Sequence, residues 1–485
     1  MSLHAQLSPE TAQRLAARDR STRISSFIIA LMATALIGVI LFIIAIGFPE
    51  KEFPEMAFVK GTSIDEPAPT PTKVSTSLRR KPTPPSARPS NRVIISRLPS
   101  SVPIPDIKHF PLSDFPGIDD GDGIGNSAGH SNDDGGPGIL PSGEMSKRCS
   151  QADRLERLEE TGGTPACDES VLKALRWLKE KQHDDGSWDN KNEVAMTGLA
   201  LLAYLGHCET PESPEFGETV LNATIFLIDT NMKNQGKMAS DFKGHWCYEH
   251  AIATYALCEC YTFSKSFGYN IPNLEKATQD AVQWILNNPN KVGGWNYNYD
   301  EKARFDTSIN AWHLQALKAA KTSGLEFNNL TRGIKDALEA IAETQQKHGG
   351  FGYNKNGPVG SANGHFTLTG AGTLCLQQHK GVSNGDARNG INYLTKNSRF
   401  NFDETANLYE HYYTSQAMVN YGGEPWKTYN LLVRDELLRR QNSDGSWPNP
   451  AGNEHQAGPI YNTCLATLMM EVYYRYLPST EKLIR

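Results

Sequence analysis

The stretch QHDDGSW, Gln182–Trp188, returns almost unchanged as QNSDGSW, Gln441–Trp447. A polar Asp-Gly turn ending in a large aromatic is unsurprising once. Two in the same register point to a copied structural unit. Ahead of the first copy, VLKALRWLKEK places Leu172, Leu175, Leu178 and Trp177 along one face of an amphipathic helix, and behind it EVAMTGLALLAYLG is apolar almost all round. A helix with one polar face belongs on an outer layer, and one without belongs inside. The heptad therefore reads as the joint between an outer and an inner helix. Asp-Gly supplies the left-handed turn, Ser187 or Ser446 bonds nearby backbone, and the tryptophan packs on the adjacent hairpin.

The pair recurs. Outer-helix ends are marked by Trp177, Phe226, Trp284, Ala340, Tyr393 and Glu436, at intervals of 43 to 58 residues. Inner helices follow at Glu193–Gly206 and then from Cys247, Asp306, Phe366, Leu408 and Ile460. A period near 50 means one helical hairpin per repeat, which cannot cover its own apolar face and must stack on its neighbours. An open stack needs polar end caps, yet the last inner helix is as apolar as the others. Six hairpins closing into a ring is the expected fold, all-α from about Asp168 onward.

What precedes the repeats is different in kind. Residues 24–48 carry no charge, and 25 helical residues reach roughly 37 Å, enough to cross a bilayer core. Arg14, Arg18, Arg20 and Arg23 crowd the near side and Glu50, Lys51, Glu52 and Glu55 follow. That bias predicts a cytoplasmic N-terminus (1–23), a single span of the cell inner membrane, and the bulk of the chain on the extracytoplasmic, periplasmic side. From Pro49 to Pro141 lie 16 of the 28 prolines, with an Asp/Gly-rich second half, so 49–145 is expected to be a disordered linker before a globular domain over 146–485. A net charge of -6 without a basic, aromatic-interleaved patch excludes nucleic acid as a partner. Eight cysteines without a C-x-x-C pair give no zinc framework, and their even number permits disulfides outside the cytoplasm.

The pattern aromatic-Leu-x3-Gln-x3-Gly-x-Trp is complete at Trp177-Leu178, Gln182, Gly186 and Trp188. It persists at Leu437, Gln441, Gly445 and Trp447, at Ile341, Gln345, Gly349 and Phe351, and without its Gln at Ile285, Gly293 and Trp295; repeats two and five are degenerate. This resembles the QW repeat of the squalene and oxidosqualene cyclases and the related protein prenyltransferase β subunits, over roughly residues 168–478. The resemblance implies an (α/α)6 toroid, and tandem segments such as CYEHAIATYALCE are similar to bacterial membrane-anchored members of that superfamily.

The resemblance also supplies two chemistries to test against the residues. A protonating cyclase has its acid in a D-x-D-D-T-A segment at an inner-helix start. Here ARFDTS, Ala303–Ser308, keeps Asp306 and Thr307 but places Phe305 where the acid should stand, and a phenyl ring donates no such proton. A zinc prenyltransferase would use the Asp and Cys of D-x-C and a His in Y-H-T-C. This chain has Asp306 and Ser308, then YNTC at Tyr461–Cys464, so Ser308 replaces Cys and Asn462 replaces His. No metal and no cofactor is expected. What remains is a cavity at the mouth formed by inner-helix N-termini, with Tyr248, His250, Asp306, Ser308, His411, Tyr412, Tyr461 and Asn462 as its lining, suited to a ligand with a greasy body and a polar or cationic head. Helix N-termini there add a preference for anionic groups. The functional expectation is a membrane-anchored binding module for an apolar or isoprenoid-like ligand, a peptide or a partner protein. The alternative is an isoprenoid-active enzyme with a non-standard acid, Asp306 or Glu249, beside His250. Gln182, Trp188, Trp295, Gln441 and Trp447 are read as structural.

Overall fold

The computed structural model describes residues 92–94, 148–300, 305–360, 367–453 and 458–475. The chain divides into two compact units, 1–84 and 85–485, and every described residue belongs to the second. The expected membrane span at 24–48, the segment 1–23 and nearly all of the expected linker lie outside the described residues. Among the described residues no helix is long and apolar enough to cross a membrane.

The second unit is helical. After α1 (Gln151–Thr161) come six helical hairpins: α2 (Pro165–Glu180) with α3 (Glu193–Gly206), α4 (Gly217–Lys233) with α5 (Trp246–Phe267), and α6 (Leu274–Asn287) with α7 (Thr307–Thr322). The rest are α8 (Leu330–Ala342) with α9 (Thr369–Lys380), α10 (Gly385–Asn397) with α11 (Leu408–Tyr421), and α12 (Gly423–Arg440) with α13 (Pro459–Met470). The second helix of each pair packs against its counterparts in the hairpins before and after, and α13 packs back on α3. That cycle is an inner ring of six, surrounded by the outer helices α2, α4, α6, α8, α10 and α12. The two classes differ as their sequences do: every residue of α3 except Glu193 is buried, whereas α8 buries only Ile334, Ala337, Leu338 and Ile341 on one stripe.

The quoted heptads do more than turn the chain. The Gln182 side-chain amide donates to Gly186 O in its own loop at 3.0 Å and to Thr219 O, on the outer helix of the next hairpin, at 3.0 Å. Gln345 does the same to Gly349 O and Asp386 O, and Gln441 to Gly445 O and Ser170 O. Each tryptophan, meanwhile, turns back on its own hairpin: the indole N–H of Trp188, Trp295 and Trp447 donates to the carbonyls of Leu178, Ile285 and Leu437. The glycines sit at φ near +90°, and a Cβ on Gly186, Gly349 or Gly445 would stand 2.3–2.4 Å from a carbonyl oxygen of the following outer helix. Only glycine satisfies both the left-handed turn and this approach. Gly236, in the second repeat, keeps the same conformation (φ +92) against Asp280 O, so the repeat that looks degenerate retains its turn.

Because Ser170 belongs to the first hairpin, Gln441 fastens the last hairpin to the first. The same seam holds α1, which the repeat pattern gives no reason to expect. Trp426 donates to Thr161 O and Asn430 to Gly162 O, both at 2.7 Å, tying the end of α1 to α12. Arg154 pairs with Asp168 at 3.0 Å within a buried group that includes His207, and Cys149 is disulfide-bonded to Cys208 at the end of α3. Arg475, just past α13, reaches Glu259 on α5. One further departure lies inside the expected linker: Arg92–Val93 (β1) pairs in parallel with Tyr269–Asn270 (β2), and Ile94 packs on the core. An extended segment with Val and Ile finds an unpaired edge there, which composition alone did not reveal.

Two outcomes follow. Gly445→Ala should lose about 3 kcal/mol in urea unfolding, from left-handed strain plus the carbonyl clash, while Gly385→Ala, whose Cβ meets nothing within 4 Å, should be close to neutral. Cys208→Ser, which opens a 59-residue loop, should cost roughly 2–5 kcal/mol by the same assay.

Candidate functional site

The N-termini of the inner helices gather at one mouth of the ring. Asp306 caps α7: its Oδ1 accepts from the Ser308 N–H at 2.9 Å and from the Ser308 hydroxyl, and its Oδ2 accepts from the Tyr297 hydroxyl at 2.8 Å. Ser308 is also the meeting point of two distant tyrosines. The Tyr248 hydroxyl is 2.6 Å from Ser308 Oγ, and the Tyr409 hydroxyl donates to Ser308 O at 3.1 Å. Tyr248 lies on α5 and Tyr409 on α11, which face each other across a ring of six. The mouth is therefore floored by tyrosines joined to one serine. Tyr248, Tyr297, Tyr409 and Tyr461 are half-buried there, above a buried Asp306.

Both mouth tyrosines begin the same tripeptide, Tyr248-Glu249-His250 and Tyr409-Glu410-His411, and the following two residues play matching parts. Glu249 accepts from the N–H and hydroxyl of Ser240, whose oxygen in turn receives the Val194 N–H at the start of α3. Glu410 accepts from the Thr367 N–H ahead of α9. His250 takes the Met238 N–H on Nδ1 and lies 3.2 Å from Ala281 O through Nε2, while His411 bridges the Tyr429 hydroxyl and Arg399 O. Burial pulls His250 down to about 3 and His411 to about 4, so both rings are neutral and hold loops in place. Burial raises the Glu249 carboxyl against its hydrogen bonds, and pushes Glu410 up to about 8. Glu410 is the site residue that the expected set lacks. The repeated tripeptide was its signal.

The interior departs from the expected well. Trp312 on α7 stacks on Tyr412 of α11 at 5.1 Å and meets Tyr413 edge-on at 5.5 Å. Below them Gln315 donates to Gln416 at 3.2 Å. These contacts skip α9, whose Thr369-Gly370-Ala371-Gly372 start is thin enough that a Cβ on Gly370 would strike Thr414 of α11 at 2.4 Å. Trp312, Tyr255, Tyr412 and Tyr413 are each at most 1% exposed. Of the expected lining, then, Tyr248, Ser308 and Tyr461 gather at the mouth with Asp306 beneath. His250 and His411 are instead packed outward, against Ala281 and Trp284 of α6 and against Tyr429 of α12, and Tyr412 is packed inside the ring against Trp312. Asn462 is likewise buried, held between Asn453 and Asn449.

Phe305 is buried beside Gly294, and both oxygens of Asp306 already accept hydrogen bonds. Among the described residues no group of three or more His, Cys, Asp or Glu is placed to hold a metal ion. At three of the inner-helix starts, expected to favour anions, one amide is met by a protein group: by Asp306 on α7, Asn407 on α11 and Ser240 on α3.

No family model and no curated protein matches the sequence. Solved structures similar to the chain include the GH76A alpha-1,6-mannanase from Salegentibacter sp. HEL1_6 (8% identity, 63% of this chain and 98% of that one, TM-score 0.47). Others are the type II terpene cyclase MstE from Scytonema (13% identity, 65% and 98%, TM-score 0.42) and a protein from Actinoplanes (12% identity, 64% and 99%, TM-score 0.41). Similarity this low assigns neither a substrate nor site residues.

The Glu410 carboxyl yields a pH signature. Its folded value, about 8, exceeds the ordinary 4.5, so between those values the folded state keeps a proton that the unfolded state loses. Its contribution to stability is present below pH 4.5 and falls as pH rises toward 8. The stability difference between wild type and Glu410→Gln should therefore shift by a few kcal/mol between pH 5 and pH 8, in favour of the variant at the higher pH. Urea unfolding at the two pH values measures it.

Proposed function

We propose that this chain is a binding module of the squalene-cyclase and prenyltransferase repeat class, which captures a ligand at its tyrosine mouth. The observation that supports this reading best is the filled ring: Trp312, Tyr412 and Tyr413 cross the interior and are buried, whereas Tyr248, Tyr297, Tyr409 and Tyr461 at the mouth are half-buried. The carboxylates nearest the mouth, Asp306 and Glu249, are engaged in holding helix starts. Half-buried tyrosines suit an apolar or isoprenoid-like body, or a peptide side chain, because each offers a large rigid face at small entropic cost.

Residues 24–48 would tether the module to the cell inner membrane, with 1–23 cytoplasmic, 49–145 as spacer and the ring outside the cytoplasm. The Cys149–Cys208 disulfide supports that placement, since such bonds persist in oxidising compartments. A second reading, an isoprenoid-active enzyme with a non-standard acid, draws support from Glu410, a buried inner-helix carboxyl that remains protonated at neutral pH. Under it Glu410→Gln would abolish turnover of a polyprenyl substrate; under the binding reading it alters stability alone.

The test is recovery of the full-length protein from its native membrane, followed by mass spectrometry of what accompanies it. A ligand present with wild type and lost from a Tyr248→Ala/Tyr409→Ala variant of unchanged Tm is the expected result. Identical material with both proteins would refute capture at the mouth.

A further inference from the structure

The end of the ring opposite the mouth receives a residue from outside the six hairpins. Arg148, ahead of α1, is 4% exposed, and its guanidinium carbon stands 4.6 Å from the centre of the Phe263 ring on α5. Glu259 and Phe263 lie in the C-terminal half of α5, Gly206 ends α3, and Glu471 follows α13. These are the far ends of three neighbouring inner helices. Glu471 is fully buried, and α3 reaches it so closely that a Cβ on Gly206 would collide with its Oε2.

Arg148 is poorly accommodated there. Its Nε and Nη1 have no hydrogen-bond partner, and neither has either oxygen of Glu471. Arg475 meets Glu259 at 3.4 Å instead. Burial pulls the Arg148 guanidinium below its ordinary value against the attraction of Glu259 and Glu471. Buried donors without acceptors gain by returning to water. The hold comes from the next residue, because Cys149 is bonded to Cys208, two positions beyond Gly206. Cys208 has φ +66 and closes the turn after α3, where glycine is the usual occupant. A cysteine in that left-handed position is explained by its bond. Both bonded cysteines are partly exposed, whereas the six free ones are buried.

We propose that the Cys149–Cys208 bond is a redox latch, whose reduction by a dithiol releases Arg148 and opens the ring between the far ends of α3, α5 and α13. A thiolate of the dithiol attacks one sulfur and expels the other, giving a mixed disulfide. The second thiol of the reductant resolves it, so the protein gains two thiols, with the protons the dithiol gives up, and the dithiol becomes a disulfide. The end of α1 stays held by Trp426 and Asn430, so the opening is confined to Arg148 and the first turn of α1. The latch is independent of what the mouth binds.

Purified full-length protein is compared with and without dithiothreitol by hydrogen–deuterium exchange, read on peptides 150–157 and 345–352. Amides at the start of α1 should exchange about tenfold faster after reduction, as local opening replaces a covalent hold. Those at the Gln345 joint, in the hairpin opposite the first, should stay within about threefold. Arg148→Leu should keep the start of α1 within about threefold of its oxidised rate even after reduction, since leucine packs on Phe263 and leaves no donor unpaired. Unchanged exchange in reduced wild type would overturn the latch. Equal acceleration at both peptides would also overturn it, marking a bond that only stabilises the whole ring. Acceleration in reduced Arg148→Leu as large as in wild type would overturn the part given to the guanidinium. If Arg148→Leu fails to fold, Arg148→Met replaces it, and the wild-type comparison of the two peptides still decides the latch.

Discussion

The close approach of turn to next outer helix, fixed at three joints by a bridging glutamine amide, is the constraint that builds the ring. A helical hairpin buries one face on itself and leaves another open, so neighbours must be joined in a defined register. Gln182, Gln345 and Gln441 each satisfy a carbonyl of their own turn and one on the next outer helix, and the glycine of the same turn lets that helix approach. Polar contacts of this kind contribute modestly in energy, about 1 kcal/mol each, but they are directional. The apolar inner helices supply the driving force; at three of the six joints the staple fixes how one hairpin lies beside the next.

Closure changes what the inner helices can do. In an open stack, the residues of α5 and α11 would never meet. In a ring of six they face each other, and Tyr248 and Tyr409 arrive at the same serine. The same geometry lets α7 and α11 touch across the thin start of α9, filling the centre with Trp312, Tyr412 and Tyr413. The closing seam needs its own hardware: Gln441, the α1 helix, the Arg154–Asp168 pair and the Cys149–Cys208 bond all converge where the last hairpin meets the first.

The acids at the mouth show how one residue type serves two ends. Asp306 and Glu249 lie where catalytic carboxyls would be sought, yet each accepts from backbone and hydroxyl donors at helix starts.

Hairpin count, inner-versus-outer order and the joints were legible in the sequence, because helical periodicity and the Gln-Gly-Trp spacing are local properties of the chain. The positions of Tyr248, Asp306, Ser308 and Tyr461 around one mouth followed from placing inner-helix starts together. The packed state of His250, His411 and Tyr412 did not, nor did the α1 clasp, the Arg92–Ile94 strand or the raised Glu410. Each depends on contacts between residues tens to hundreds of positions apart, and on whether small residues such as Gly370 admit a large neighbour. Periodicity records which face of a helix is buried. Only the closed tertiary structure decides whether that face borders a space or another side chain.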